Sequence, residues 1–336
     1  MKFGPVPVAE AVGAIVAHTI RSSALILRKG QVVTREHQAA LTSAGFEAII
    51  AARLEADDVG EDEAARRLAG ALAGPHIRLE RAFTGRVNLF AEVAGLAVIE
   101  ATAIDRLNEA DEAITAATLA PYHPVAAGDM VATVKIIPFA VSGAALRLAI
   151  SKVGAGAVSV APFRPLRIGV VSTIAAGLKP SVVAKTLRIL EDRLAPAGAS
   201  IARETRVPHE AGALAEALAP LVREADVVVI FGASAITDRR DVIPAAIIES
   251  GGRIDHFGMP VDPGNLLLLG ELAGKPVIGA PGCARSPKEN GFDWVLQRIL
   301  AGAPIGPAEI KSMGVGGLLM EIAQRPQPRL GKSGAI

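Results

Sequence analysis

The chain contains one cysteine, Cys283, among 336 residues. A single cysteine excludes an intramolecular disulfide, and no group of cysteines and histidines has the spacing of a structural zinc site. The stretch "MKFGPVPVAEAVGAIVAHTI" has prolines and Glu10 where a signal peptide would have an uninterrupted apolar region. These features are typical of a reducing compartment, and we expect a cytoplasmic protein.

Aromatic residues and net charge are also scarce. Aromatic side chains make up 3% of the sequence, and 35 lysines and arginines balance 34 acids to leave a net charge of +1. The chain therefore offers few rings on which bases could stack, and no overall field that would attract a polyanion. We expect neither nucleic acid nor a membrane as partner, so any anion site must be local.

Long apolar runs without charges are missing as well. The most membrane-like stretch, "AVSGAALRLAISKVGAGAVSVA", contains Arg147 and Lys152 and is rich in glycine. These residues exclude it as a spanning helix. The 51% of hydrophobic residues instead provide a packed core, and the length is typical of two or three domains.

The order of the apolar patterns predicts an α/β fold in which a doubly wound, mostly parallel sheet follows smaller α+β units. From Leu166 onward, strand and helix patterns alternate as βαβαβ, which indicates a parallel sheet covered by helices. The predicted segments are an N-terminal α/β segment (1–75), a second small α+β unit (76–165), the doubly wound domain (166–302) and a C-terminal arm (303–336).

The N-terminal segment shows both helical and strand-like patterns. Apolar spacing predicts helices over 8–20 and 34–45 and a strand over 46–54. Residues 57–74 begin acidic and end basic beside a glycine, which is typical of a helix that complements its own dipole.

The stretch "FGASAITDRRDVIPAA", residues 231–246, directly follows the buried strand pattern "DVVVI". Ligands of parallel sheets bind beyond the carboxyl ends of the strands, and small residues let the backbone approach a ligand. Arg239 and Arg240 could then hold an anion, and Asp241 would cap the helix that follows. A solvated loop also carries such charges for solubility, so both interpretations stay open at this point.

A second strand end of interest is "VIGAPGCARSPKENGF", residues 277–292. We expect Gly232 and Pro281 to lie at neighbouring strand ends of the sheet, with their two loops facing one cleft. Ser286, Pro287 and Glu289 form a capping-box pattern, which predicts a helix with Ser286 as its N-cap and free N–H groups that attract phosphate. Most capping boxes only start a helix, so this alternative also remains. Cys283 lies in the same loop, but no histidine is placed to activate it, and His209 and His256 are interpreted as structural or surface residues.

Residues 166–302 resemble the molybdopterin-binding domain shared by molybdopterin adenylyltransferase and molybdopterin molybdenumtransferase. "RRDVIP" repeats the adenylyltransferase's Arg-Arg-Asp-Val-Thr-Pro, "VDPGN" is similar to a Lys-Pro-Gly-Lys-Pro segment, and "VIGAPGCARS" is similar to a Gly-Leu-Pro-Gly-Asn-Pro-Val-Ser loop. The resemblance implies molybdopterin-binding roles for Gly232, Ala233, Ser234, Arg239, Arg240, Pro263, Gly264, Pro281, Gly282 and Ser286, and a catalytic and magnesium-facing role for Asp241.

The first 75 residues look like the N-terminal segments of the molybdenumtransferase, with Lys29, Gly30, Thr34 and Gly45 in matching places. The sequence also departs from the family. Ser172 to Leu190 contains no acid where the related enzymes place a metal-side aspartate, Ala233 and Ala235 replace loop glycines, and Asp262 replaces a lysine.

The resemblance implies a protein of molybdenum cofactor biosynthesis that binds molybdopterin or its nucleotide form. If it is a transferase, ATP and magnesium serve nucleotide-dependent activation or molybdate insertion, and positioning and electrostatics supply the catalysis. The alternatives are a non-catalytic carrier and a nucleotide hydrolase on the same fold. A homo-oligomer and a molybdoenzyme or cofactor-pathway partner are also expected.

Overall fold

The computed structural model describes residues 1–22, 25–175 and 179–319. Its chain divides into two units, Met1–Pro162 and Phe163–Ile336. The finer division of the first unit near residue 75 stays a prediction. Within the described residues, no helix is long and apolar enough to cross a membrane.

The first unit is built from short strands and helices in antiparallel sheets. Its largest sheet has the strand order β10-β12-β8-β7, and a second has the order β1-β5-β2. Its elements are β1 (Lys2–Pro7), β2 (Ile15–Val16), β3 (Ile20–Arg21), β4 (Ile26–Leu27), α1 (Arg35–Ser43), β5 (Ala48–Arg53), β6 (Asp58–Gly60), α2 (Glu61–Leu72), β7 (Ile77–Leu79), β8 (Arg86–Ala91), β9 (Gly95–Ile99), α3 (Ala101–Asn108), β10 (Ile114–Thr118), β11 (Pro124–Val125), β12 (Met130–Ile136), β13 (Ala140–Ser142), α4 (Gly143–Val153) and β14 (Val158–Pro162).

Two of the predicted N-terminal elements are confirmed, and one is wrong. The α1 helix begins after Thr34, whose hydroxyl accepts a hydrogen bond from the His37 N–H at 3.2 Å, and β5 is the predicted strand. Residues 8–20 do not form a helix. They contain a short 3-10 turn at Val8–Glu10, a glycine at φ +84° and two small strands, because the buried apolar residues pack against β5 as extended chain.

The predicted 57–74 helix also begins later than its acidic start indicated. Residues Asp58–Gly60 form β6, which pairs with β13, and α2 begins only at Glu61. The α2 helix then buries Leu68 and Leu72 in the main core of the unit. Tertiary strand pairing therefore overrides the helical pattern over its first residues.

The second unit has the predicted doubly wound architecture. Its six-stranded sheet has the order β16-β15-β17-β20-β19-β18, in which the first four strands are parallel and β19 is antiparallel to both of its neighbours, β20 and β18. Its elements are β15 (Arg167–Ile174), α5 (Pro180–Leu194), β16 (Ser200–Pro208), α6 (Ala211–Glu224), β17 (Val227–Phe231), α7 (Val242–Glu249), β18 (Arg253–Phe257), β19 (Leu268–Leu272), β20 (Lys275–Ala280), α8 (Gly291–Ala301) and α9 (Pro307–Ser312).

Alternate residues of the central strands fill two separate cores, one on each face of the sheet. Val227, Val229 and Phe231 of β17 pack with α5 and α8, whereas Val228 and Ile230 pack with α6 and α7. All five residues of β17 are therefore buried, as a strand covered on both faces requires.

The predicted C-terminal arm, 303–336, contains the short helix α9 and then a segment that pairs with Asp262 at Leu318. Residues 320–336 lie outside the described part of the chain. Where it is described, the arm therefore packs as a helix and a bridging segment rather than as extended chain throughout.

Candidate functional site

Three loops begin at the same edge of the sheet. The register pairs Ser172 with Phe231 across β15 and β17, and Phe231 with Ala280 across β17 and β20. Gly232 and Pro281, which follow those last residues, therefore lie at neighbouring strand ends, as the sequence predicted. In parallel sheets this edge is where ligands bind.

The loop after β17 begins with a glycine that no other residue can replace without movement. A Cβ at Gly232 would lie 2.6 Å from the carbonyl oxygen of Ser234 and 2.9 Å from Ile243 Cδ1. The next N–H, of Ala233, donates to Thr173 Oγ1 at 2.8 Å. The start of the loop is thereby tied to the end of β15.

Asp241 caps the next helix, as predicted. Its Oδ1 accepts from the N–H of Val242 at 2.8 Å, and its Oδ2 accepts from the N–H of Thr237 at 3.1 Å. Both carboxylate oxygens therefore have backbone donors, which stabilise the loop and the start of α7. The catalytic and metal-facing role of Asp241 stays a prediction.

Arg239 and Arg240 are exposed in the same loop. The Arg240 guanidinium lies 2.8 Å from Asp238 Oδ1, and its side chain is 91% exposed. Hydrogen bonds from Arg240 lower the pKa of the Asp238 carboxyl. Arg239 lies near enough to His256 to help lower its pKa, after burial and Lys311. Both arginines face solvent, where an anion could reach them.

The predicted helix start at Ser286 is wrong. Ser286 ends a short 3-10 turn over Gly282–Arg285, and α8 begins at Gly291 behind a different capping box. Asn290 accepts from the Phe292 N–H at 3.1 Å, and Asp293 Oδ2 accepts from the Asn290 N–H at 2.8 Å. The second box forms because Asn290 is buried and Asp293 has an arginine partner.

That partner is Arg193 of α5, which the sequence analysis missed. Its Nε lies 2.5 Å from Asp293 Oδ1, and its other nitrogens donate to the carbonyl oxygens of Ala284 at 2.9 Å and Ser286 at 2.7 Å. One guanidinium thus fixes both the loop after β20 and the first turn of α8. No nearby motif marks this residue, because its partners lie about a hundred positions along the chain.

Arg285 connects two of the strand-end loops and was also missed. It donates to the carbonyl oxygen of Gly232 at 2.8 Å and to Thr186 Oγ1 at 3.1 Å, and its guanidinium lies 5.3 Å from the Phe231 ring centroid. Burial lowers the pKa of Arg285. Its position three residues after the glycine of the Pro-Gly turn in "APGCARS" is the one local signal that could have found it.

His209 joins three adjacent strand ends. Its Nδ1 lies 2.8 Å from Thr173 Oγ1, and its Nε2 lies 3.1 Å from Ser234 Oγ. Thr173 belongs to the end of β15, His209 follows β16, and Ser234 follows β17. The interpretation of His209 as structural is thus correct in part, but its partner Ser234 is one of the predicted binding residues.

Pro263 and Gly264 lie against the start of α8 rather than in the loop after β17. The Gly291 N–H donates to the Pro263 carbonyl oxygen at 2.8 Å, and a Cβ at Gly264 would lie 2.7 Å from the Gly291 nitrogen. Gly282 is different, because a Cβ there would meet no described atom within 4 Å. The structure thus connects Pro263 and Gly264 to the α8 side of the site, with Gly282 open to an approaching molecule.

Two further groups lie near the same edge. Ser172 is 2% exposed, and its Oγ has no hydrogen-bond partner among the described residues. Burial raises the pKa of the Cys283 thiol, with smaller contributions from nearby Asp293 and Asp262. A raised thiol pKa lowers the thiolate fraction, which makes Cys283 a poor nucleophile.

The described residues hold no group of three or more His, Cys, Asp and Glu side chains that could bind a metal ion. The acids of the loop after β17 are instead engaged within it, Asp238 by Arg240 and Asp241 by two backbone donors. The hydroxyls, open backbone and arginines of this edge can donate hydrogen bonds to an anionic group.

The doubly wound sheet and its strand-end loops form an α/β domain. Residues 170–302 match the family described as a probable molybdopterin binding domain. Residues 5–53 match a domain of unknown function, DUF8806. No curated protein matches the chain.

Several solved structures are similar to the chain at low identity. A molybdopterin biosynthesis MoeA protein from Pyrococcus horikosii is 16% identical, over 90% of this chain and 75% of its own, with a TM-score of 0.31. The tungsten cofactor synthesizing protein MoaB from Pyrococcus furiosus is 19% identical, over 40% and 93%, with a TM-score of 0.30. A CinA protein of unknown function from Thermoplasma acidophilum is 19% identical, over 37% and 90%, with a TM-score of 0.29.

Proposed function

We propose that this protein binds molybdopterin at the carboxyl edge of the β15, β17 and β20 strands and serves molybdenum cofactor biosynthesis. The observation that carries the proposal is the match of residues 170–302 to the family of probable molybdopterin binding domains. The structure supports it with loops held together at that edge by Thr173, His209 and Arg285. A preformed site of this kind loses little entropy when a ligand binds.

The residues present fit the two ends of a phosphorylated pterin. Ser234 and the exposed Arg239 and Arg240 provide donors for a phosphate, which prefers charged and hydroxyl donors. Gly282 leaves open backbone in the loop after β20. The surrounding loops are shaped by Ala233, Pro281, Pro263 and Gly264. Ser286 adds a hydroxyl group, although no helix begins at this residue.

An exposed arginine pair in each unit provides a matched test of phosphate binding. Replacing Arg239 and Arg240 together by Ala should weaken molybdopterin binding about tenfold or more, because a phosphate would lose charged donors. Replacing Arg66 and Arg67 of α2, another adjacent and exposed pair, should leave the dissociation constant unchanged. Calorimetry in which both double variants bind as tightly as the parent would remove the phosphate-binding role.

The family also includes transferases, and we favour a carrier or slow transferase over rapid ATP-dependent chemistry. Ser172 to Leu190 contains no acid, and the Asp241 oxygens accept from backbone N–H groups. Magnesium would therefore have to displace part of the cap of α7. The magnesium-facing role of Asp241 remains part of the transferase alternative.

A turnover assay separates these alternatives. With ATP, magnesium and molybdopterin present, we expect turnover well below about 1 per second, the lower end of ordinary enzyme rates. Turnover at or above that rate, abolished by Asp241→Asn, would establish the transferase alternative. Turnover of ATP without any pterin would instead favour a nucleotide hydrolase.

We further propose a cytoplasmic homo-oligomer that passes the pterin to a cofactor-pathway protein or a molybdoenzyme. The single cysteine, Cys283, supports a reducing compartment. Light scattering during size-exclusion chromatography tests the oligomer directly. A monomer at working concentration would contradict that part of the proposal and leave the pterin site untouched.

A further inference from the structure

A pocket in the first unit shares no residue with the site described above. Its volume is about 670 Å³, within the range of small-molecule pockets. Every residue that lines it belongs to the first unit, and none lies in 170–302. We propose that this N-terminal pocket is a second small-molecule site, which takes a monoanion with an aromatic or apolar body.

The walls of the N-terminal pocket supply the apolar part. Phe3 is 59% exposed and Ile137 is 58% exposed, and Pro138 and Phe139 lie beside them. Exposed side chains of this size gain free energy when a ligand covers them, at about 25 cal/mol per Å² of apolar surface buried. An aromatic or branched apolar body therefore matches this wall.

The charged groups of the pocket leave one positive charge. Lys135 Nζ lies 3.5 Å from Glu61 Oε2 and also donates to the Thr84 carbonyl oxygen. Lys29 Nζ lies 6.0 Å from the Phe139 ring centroid, and no acid within the described residues forms an ion pair with it. The N-terminal ammonium of Met1 also lines the pocket, but together with Lys2 it is balanced by Glu55 and Asp58. Lys29 and Lys135 against Glu61 therefore favour a ligand with a single negative charge.

Backbone hydrogen bonds anchor the turn that contains Lys29. The Lys29 N–H donates to Thr19 Oγ1 at 3.2 Å, and Gly30 has φ +83° and donates to the Val16 carbonyl oxygen at 2.8 Å. The turn is thus anchored on both sides, while the ammonium group forms no direct ion pair within the described residues and acts on Glu61 only from a distance. A cation held in place beside an aromatic ring is suited to an aromatic anion.

Lys29 is a better residue to substitute than Lys135, because Lys135 forms an ion pair with Glu61. Removal of Lys135 would leave the half-buried Glu61 without its cation, and burial already raises the pKa of that carboxyl. Removal of Lys29 leaves no buried charge behind. Lys29→Met therefore changes the charge of the pocket with little effect on the fold.

A pair of fluorescent probes separates the anionic part of recognition from the apolar part. Anilinonaphthalene sulfonate is an aromatic monoanion, and phenylnaphthylamine is its uncharged analogue. We expect both probes to bind the folded protein at one saturable site. Lys29→Met should weaken the sulfonate about tenfold, which corresponds to about 1.4 kcal/mol, and leave the uncharged probe within about twofold.

Two further variants control the result. Ile137→Asp places a negative charge on the apolar wall and should weaken both probes, whereas Lys152→Met, outside the pocket lining, should change neither. Each variant must melt at the temperature of the parent, since partly unfolded chains also bind these probes. Absence of saturable binding, or a Lys29→Met variant that binds the sulfonate as tightly as the parent, would overturn the proposal.

This outcome is independent of the pterin site. Binding of molybdopterin should be the same in the parent and in Lys29→Met, because the two sets of residues do not overlap. Failure of the probe experiment would thus leave the function proposed above standing.

Discussion

Arg193 and Arg285 differ from Arg239 and Arg240 in where their guanidinium groups lie. The Arg193 side chain is 10% exposed and that of Arg240 is 91% exposed, although all four residues belong to the same unit. The first pair donates to backbone carbonyl oxygens of the strand-end loops. The second pair faces solvent at the tip of one of those loops. Arg193 and Arg285 thus stabilise the loops, whereas Arg239 and Arg240 remain accessible to a ligand.

The comparison is tested most strongly by Arg193→Ala. The substitution leaves Asp293 and two loop carbonyls without their cation, so the free energy of unfolding should fall by about 3 to 5 kcal/mol, as for other broken buried pairs. Urea unfolding measures the change. Arg188→Ala, an exposed residue of the same helix, should cost less than about 0.5 kcal/mol. Equal effects of the two variants would show that Arg193 is not a structural residue.

Arg285→Ala should have the next largest effect. It removes hydrogen bonds to Gly232 and Thr186 and the contact with the Phe231 ring, so we expect a loss of about 2 to 3 kcal/mol in urea unfolding. Arg285→Lys should recover part of it, because an ammonium group can reach one partner but not both. Molybdopterin binding should weaken in Arg285→Ala as well. A variant with lower stability but unchanged binding would separate the loop support from the site.

His209→Ala and Thr173→Val should each lower stability by about 1 to 2 kcal/mol, because each leaves the same hydrogen-bonded chain incomplete. Their effects should not add, since either substitution already breaks the contact between Thr173 and His209. A double-mutant cycle in urea measures the coupling. Fully additive losses would mean that the chain does not act as one unit.

Alkylation of Cys283 reports how closed the loop after β20 is. Burial raises the thiol pKa, so less thiolate is present at pH 8 in the folded state than in the unfolded state. Iodoacetamide should therefore react more slowly with the native protein than with the urea-unfolded chain, and the native rate should rise with pH beyond pH 9. Equal rates would show that the loop opens freely. Arg193→Ala should accelerate the native reaction, because Arg193 holds Ala284 and Ser286.

The smallest effect on stability is expected for the Arg239→Ala, Arg240→Ala double variant. Among the described residues Arg240 pairs with Asp238 of its own loop, and exposed pairs of this kind contribute little. Its melting temperature should equal that of the parent within error, while its ligand binding falls. A clear loss of stability would erase the distinction between the two pairs of arginines.

The parts of the second unit that the sequence predicted are those fixed by local pattern. The apolar run that forms β17 and the short buried run of β20 are visible because both faces of each strand are covered. Asp241 was identified as a cap because an acid directly before a helical pattern accepts from its first N–H groups. Local patterns thus placed Gly232 and Pro281 at adjacent strand ends.

The residues that hold the site together were not predictable in this way. Arg193 reaches Asp293 across 100 positions and Arg285 reaches Gly232 across 53, so no local spacing reveals either contact. Two capping boxes compete between residues 286 and 293, and tertiary contacts decide between them. A Cβ at Gly291 would lie 2.5 Å from Met259 Sδ. This close packing of Gly291 favours a start of α8 at the capping box of Asn290 and Asp293.

In the first unit, local sequence patterns also failed to predict part of the secondary structure. Helical spacing over 8–20 is real in the sequence, but the strands of β1 and β5 pair along the whole of Lys2–Pro7 and draw the following residues into extended structure. Long-range pairing of this kind outweighs the small differences in intrinsic helix propensity.

The outermost strands of the six-stranded sheet have a consequence for solubility. β16 forms one edge and β18 the other, and each could in principle accept a strand from another molecule. Arg203, Arg206 and Glu204 line the first edge in ion pairs, and Arg253 pairs with Asp255 and Glu271 at the second. An incoming strand would have to desolvate these charges. These charges disfavour strand addition at both edges, so we expect any assembly of the protein to use another surface.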